Sequence, residues 1–277
     1  MLVRLPDFAS AGFSRTRNGA AVDGSRIAAH VPPVKMLPVL SAMLLCGAAV
    51  SVRAAAIALD ASRDNTIFSE FTGNSNGQGP FLYAGRNANE NLRRALLAFD
   101  LNALPSAVTI TAVQLVLSMD RTISGASAFS LHRVAENWGE GASNAGSPGG
   151  TGNLAQPGDA TWRAALFPGT LWSTPGGNFA ATASATTAVD NVGTYTWTSA
   201  QMAADVQGWV NNPATNFGWL LKDGETALSA KRFHSGEGAA ALRPKLIVTF
   251  EPVPEPASAL LLFAAGTVLG MRRKRTA

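Results

Sequence analysis

Apolar side chains recur with period two through most of the chain, the spacing of strands that turn one face to a core. In Thr111–Met119, Val113, Leu115, Leu117 and Met119 face one way, and Ala112, Gln114, Val116 and Ser118 the other. Arg94–Asp100 places Ala95, Leu97 and Phe99 on one face. Phe129–Val134 alternates Phe129 and Leu131 with Ser130 and His132, and Lys245–Phe250 alternates Leu246, Val248 and Phe250 with Ile247 and Thr249. Thr66–Ser69, Phe81–Gly85, Gly193–Trp197, Gly218–Lys222 and Ser229–His234 are shorter candidates, and turn-rich clusters such as Thr72–Pro80 separate them. The pattern predicts an all-β, antiparallel β-sandwich. One short helix interrupts it: in Ser199–Val210, Met202, Val206, Trp209 and Val210 share a face, Ser199 offers a cap, and Asn211-Asn212-Pro213 is a stop. No repeat of fixed period occurs, and one domain over residues 57–251 accounts for the pattern.

Gly139–Ala160 is rich in Gly, Ser, Asn and Ala and contains Pro148 and Pro157. A connection of that length is expected to be functional or mobile. Its Gly149-Gly150-Thr151-Gly152 is not a phosphate loop, because no Lys-Ser/Thr pair follows and no strand-to-helix context surrounds it.

Two apolar runs of another kind flank this body. Leu37–Val52 holds sixteen residues without a charge and leads into Arg53-Ala54-Ala55-Ala56. At ~1.5 Å per residue the run spans about 24 Å, short of a ~30 Å hydrocarbon core. With its small-residue end it reads as a signal helix within a signal peptide over residues 36–56, cut by signal peptidase after Ala54 or Ala56. Residues 1–35 lack apolar periodicity and are expected to be disordered or mis-assigned, with translation starting at Val34. Cys46, the single cysteine, leaves with the signal, so the mature chain forms no disulfide.

Charge follows the same division. The formal net charge is +4, yet residues 57–251 hold twelve basic and fifteen acidic side chains, a net of −3. With the excess of cations at the ends, no basic patch on the body points to nucleic acid. Charged residues make up 14 % of the chain and apolar ones 47 %, which excludes a disordered polyelectrolyte and leaves material for one sizeable core.

After Val253 the chain reads Pro254-Glu255-Pro256, then fifteen uncharged residues from Ala257 to Met271, then the basic stop Arg272-Arg273-Lys274-Arg275. The apolar stretch suits a weak membrane helix of about 22 Å whose basic flank stays cytoplasmic. Over residues 252–277 this tripartite order resembles the PEP-CTERM sorting signal of Gram-negative bacteria that make extracellular polysaccharide. The resemblance implies processing near Pro-Glu-Pro by an exosortase-type membrane protease. It also implies a transient stay in the inner membrane, then delivery to the cell surface or extracellular matrix.

The body has a resemblance of its own. Arg94–Leu101, the turn Leu104-Pro105, His132-Arg133-Val134 with Asn137-Trp138-Gly139-Glu140, and Thr161-Trp162 come in order. Asp205–Val210, Asn216–Lys222, Lys231–His234 and Arg243–Phe250 then follow. Across roughly residues 60–250 these motifs are similar to the DNRLRE domain, a carbohydrate-binding-module-like jelly roll of secreted bacterial proteins. The resemblance implies a jelly-roll sandwich that binds or associates with extracellular polysaccharide. The long insertion between Trp138 and Trp162 departs from the family pattern.

All six tryptophans lie between Trp138 and Trp219. Exposed indoles stack on sugar rings, so Trp172, in a turn-rich stretch, and Trp138 and Trp162, flanking the long loop, are the candidate ligand contacts. Trp197, Trp209 and Trp219 read as core. His132 and His234 have neither a nucleophile elbow nor metal spacing. Glu136 and Glu140 are close in sequence and read as solvated charges in preference to a glycosidase pair. Arg93 and Arg94 are expected in ion pairs, with contact to an acidic polysaccharide as the other reading. Asp60, Asp64 and Asn65 offer oxygens to a structural calcium ion but fall short of a full cage, so no cofactor or metal is assigned. The expectation is a non-enzymatic exported protein. A purely structural surface protein is the second reading, and a polysaccharide-degrading enzyme the third.

Overall fold

Long alternating segments become long strands. The computed structural model describes residues 53–253; the leader (1–35), the apolar part of the signal, the Pro254-Glu255-Pro256 motif, the C-terminal helix and its basic stop lie outside them. The strands are β1 (Ala55–Phe68), β2 (Asn74–Ser75), β3 (Phe81–Arg86), β4 (Leu92–Phe99), β5 (Val108–Thr122), β6 (Ser127–Arg133) and β7 (Asn153–Leu154). They continue with β8 (Ala164–Leu166), β9 (Thr170–Leu171), β10 (Ala185–Val189), β11 (Gly193–Thr198), β12 (Trp219–Lys222), β13 (Lys231–His234) and β14 (Lys245–Pro252). One α-helix, α1 (Ala200–Asn211), lies between β11 and β12.

The all-antiparallel class expected from the alternation is observed, and the pairings close it. β1, β14, β5, β13, β3 and β4 pair in that order and β4 pairs back on β1, giving a barrel-like ring of six strands. β12, β6 and β10 extend it from β4, and β11 adds to β5. Closure depends on two strands that change partner along their length. β1 pairs with β14 over Ala55–Asp60 and with β4 over Ala61–Phe68, with a register shift at Ser62. β3 pairs with β13 over Phe81–Ala84 and with β4 over Gly85–Arg86. The β3 corner requires glycine: Gly85 has φ +102°, and a Cβ there would stand 2.9 Å from Ser229 Oγ and 3.0 Å from the next peptide.

The main core fills the ring with Val113, Leu115, Leu117 and Met119 of β5, together with Phe129, Trp197, Phe233, Leu246 and Val248. Helix α1 lies against this core through Met202, Val206 and Trp209. Ser199 Oγ accepts the Met202 N–H at 3.0 Å, the expected cap. Asp205, on the same buried face, takes hydrogen bonds from Ser184 Oγ, from Trp219 Nε1 at 3.0 Å and from Gln201 Nε2 at 3.0 Å. Trp209 meets Trp219 edge-on at 4.5 Å.

A second core lies on the other face of β4 and β12. Ile67, Leu96, Ala98 and Leu220 pack there against Trp138, Ala160, Ala165 and Trp172. The partners come from the long segment between β6 and β10, which is folded down as a cover. Its peptides bond each other, Gly139 N to Ala165 O at 3.1 Å and Ala160 N to Gly139 O at 2.8 Å. Asn65 of β1 fixes it from beneath. Its Nδ2 donates to Ser75 Oγ at 2.8 Å and Glu140 O at 3.0 Å, and its Oδ1 accepts from the Thr66 and Asn76 amides at 2.7 and 2.9 Å. Gly139–Ala160, expected as a functional or mobile loop, is thus tied to β1 and to the rest of the cover by these bonds.

The two ends of the body are neighbours, because Ala55 lies opposite Phe250. Cleavage after Ala54 keeps β1 whole, whereas cleavage after Ala56 removes the Ala55–Phe250 and Ala56–Thr249 pairs. Mass spectrometry of the exported protein is expected to find Ala55 at its amino terminus; a start at Ile57 would show those pairs to be dispensable. Asn65→Ala leaves several buried partners unsatisfied at about 1–3 kcal/mol each. Its urea midpoint is expected to fall by an amount equivalent to 3 kcal/mol or more, on the order given by that range.

Candidate functional site

The tryptophans expected to meet a ligand are mostly structural. Trp172 is only 4 % exposed, its indole N–H donating to Thr161 O at 2.9 Å, and Trp138 is fully buried, donating to Phe217 O at 2.8 Å. The turn-rich sequence around Trp172 suggested exposure; the apolar outer face of β4 and β12 draws the ring inward instead. Trp162 is half-buried, its face covered by the Arg94 guanidinium at 4.8 Å. Trp197, Trp209 and Trp219 lie in the core as expected.

The other candidates also find structural partners. Arg93 pairs with Glu70 at 2.5 Å, and Arg94 clasps Glu225 through two bonds of 2.7 and 2.8 Å. His132 Nδ1 lies 2.9 Å from Ala180 O, and burial lowers its pKa. His234 packs on Phe81. Glu136 accepts from Ser173 N and from Asn178 Nδ2, whereas Glu140 accepts from Asp64 N, so the two carboxylates serve different contacts. Asp60 pairs with Lys245 at the surface, and Asn65 is the tether described above.

Two arrangements remain that sequence spacing did not reveal. The first is an open groove of about 620 Å³ between the sheet and the Ala145–Gly152 arm of the cover. Its floor is a cross-strand row, since Arg232 of β13 lies opposite both Tyr83 of β3 and Arg121 of β5. Side chains directly opposite share a face, with strands ~4.8 Å apart. Arg93, Asn87 and Asn89 complete the lining on one side, Thr122 and Ile123 on the other. Arg93 Nε donates to Gly150 O at 2.8 Å and so holds the arm in place. Arg232 is held by Asp120 in two bonds of 2.8 and 2.7 Å and stacks on Phe81 at 3.8 Å. Lys231 is buried, its ammonium donating to Thr122 Oγ1 and Gly125 O, both at 2.7 Å. Arg121 is exposed and makes no ion pair or side-chain hydrogen bond among the described residues. The Tyr83 hydroxyl is buried without a partner, and burial pushes the phenol up. A smaller cleft of about 470 Å³, lined by Asn102, Trp209 and Asn216, opens elsewhere.

The second arrangement is acidic. Asp64 of β1, Glu140 at the head of the cover and Glu237 after β13 each place a carboxylate oxygen within 4.8 Å of the others. Asp64 is fully buried. Burial, then the Glu237 charge, raises its pKa well above the usual range, and burial pushes Glu140 up to about 7. Gly77 admits this contact: a Cβ there would stand 1.9 Å from the Glu140 carbonyl oxygen.

Among the described residues no helix is long and apolar enough to cross a membrane. Residues 252–275 match the PEP-CTERM protein-sorting motif, the family that the C-terminal end resembles. The chain thus carries an exosortase-type sorting signal of exported, surface-directed proteins. The signal begins where β14 ends, because Pro252 still pairs with Val108. No curated protein matches the chain.

Trp172→Ala is expected to act on stability: removing a buried indole costs about 3–5 kcal/mol. Urea denaturation reads that loss, and limited proteolysis between Gly141 and Gly158 is expected to speed up.

Proposed function

We propose that this exported protein is non-enzymatic and that its β body holds anionic extracellular polysaccharide in the Tyr83–Arg232–Arg121 groove after C-terminal sorting. The observation that carries the reading is an exposed Arg121 guanidinium without an ion pair among the described residues, lining one open groove. A guanidinium matches a carboxylate or sulfate with two parallel hydrogen bonds. An open groove also suits a polymer, which must enter from the side. The motif order that resembles the carbohydrate-binding-module-like DNRLRE domain supports the same reading. Signal peptidase and an exosortase-type protease are the processing partners this reading requires, with the membrane engaged transiently by residues 257–271.

A second reading, a purely structural surface or matrix protein, has one observation in its favour. Five of the six tryptophans are buried and Arg94 covers the sixth, so no tryptophan offers solvent an open platform.

One titration separates the two. The exported protein is expected to bind a polyuronate saturably and a neutral glucan weakly. Arg121→Ala is expected to weaken the polyuronate at least tenfold, about 1.4 kcal/mol, and added salt to weaken it further. Asn102→Ala in the smaller cleft is expected to change nothing. Binding indifferent to Arg121 discards the groove, and a folded sample that binds no polymer favours the structural reading.

A further inference from the structure

No cationic side chain pairs with the acidic cluster: among the described residues none of Asp64, Glu140 and Glu237 forms an ion pair. Of the nearby arginines, Arg63 directs its Nη1 to Trp138 O and Asn137 Oδ1, and Arg243 Nε donates to Gly238 O at 3.0 Å. The donors that do reach the cluster are neutral: Gly236 N to Asp64 Oδ2 at 2.6 Å, Asp64 N to Glu140 Oε1 at 2.8 Å, and Gln78 Nε2 to Glu140 Oε2 at 3.3 Å. Asp64 Oδ1 and Glu237 Oε2 are both buried and have no partner at all. A fully buried carboxylate with an orphaned oxygen, facing two more carboxylates, is costly unless something positive completes it.

We propose that Asp64, Glu140 and Glu237 bind one divalent cation of the calcium class. All the donors are hard oxygens, as calcium prefers. Three carboxylates supply charge and several of the six to eight oxygens that such an ion takes. Glu140 and Glu237 are only half-buried, which leaves room for water ligands, and calcium tolerates the irregular geometry that magnesium does not. The ligands come from β1, from the cover segment and from the turn after β13. The ion therefore clips together three parts of the chain that are 76 and 172 residues apart along the existing hydrogen bonds. The site differs from the Asp60–Asp64–Asn65 group that the sequence offered: only Asp64 belongs to it.

The test uses the exported protein, with calcium measured by mass spectrometry before and after dialysis against a chelator. About one calcium per chain is expected, with re-binding near the 0.1–1 mM range of extracellular modules. Removal is expected to lower Tm and expose the cover segment to protease, and calcium is expected to restore both. Asp64→Asn and Glu237→Gln are expected to abolish the calcium-dependent rise in Tm while leaving the metal-free Tm no lower, since each removes a like charge. Should Asp64→Asn fail to fold, Glu237→Gln carries the test alone. A chelated protein whose Tm ignores calcium up to about 10 mM overturns the site. So does a full calcium response in Glu237→Gln, and an equal response to magnesium overturns the calcium assignment.

Discussion

Strand β4 and its neighbour β12 are apolar on both faces, and the rest of the molecule is arranged around that constraint. Leu97 and Ala95 face the main core; Leu96, Ala98 and Leu220 face away from it. A sheet with two apolar faces needs a layer on each, as in parallel sheets, yet this sheet is antiparallel. The second layer is the segment between β6 and β10, which contains little regular structure. It is fixed by indoles that bury apolar area and also place their N–H groups on backbone carbonyls. Asn65 supplies the remaining tie by satisfying several backbone and hydroxyl groups from one side chain.

Because the cover must start beside β1 and return over β4, it brings chemistry with it. At its head Glu140 meets Asp64 and Glu237, and along its Ala145–Gly152 arm it walls the basic groove. An anionic and a cationic feature thus both adjoin one segment of a body whose net charge is only −3. Overall charge therefore says little about either site. In the groove, Asp120 and Glu70 neutralise Arg232 and Arg93 and leave Arg121 to face solvent. In the acidic cluster, neutral amides are the donors, and the carboxylates are held together against their mutual repulsion.

How much of this was legible beforehand depends on the range of the signal. The β5 alternation, the Ser199 cap and the core places of Trp197, Trp209 and Trp219 were readable, because each rests on neighbours a few residues apart. The amino-terminal half of β1 and the short β10 were not, since Ile57-Ala58-Leu59-Asp60 and Ala185-Thr186-Thr187-Ala188-Val189 carry too few large apolar residues to show a period. Trp172 misled for a related reason. Its Gly-, Pro- and Ser-rich surroundings describe a turn correctly, but a turn can be pressed against a second apolar face.

By itself the sequence determined the antiparallel class, the helix with its cap, and the sorting signal at residues 252–275. These features are local, set by periodicity, capping and hydropathy, and need no knowledge of distant partners. Only the tertiary structure decided the ring closure, the folding of the cover, the cross-strand row of Arg121, Arg232 and Tyr83, and the meeting of Asp64, Glu140 and Glu237. Each joins residues from separate strands through register and packing. An isolated arginine or glutamate looks the same in sequence whether it faces solvent or another charge across the sheet.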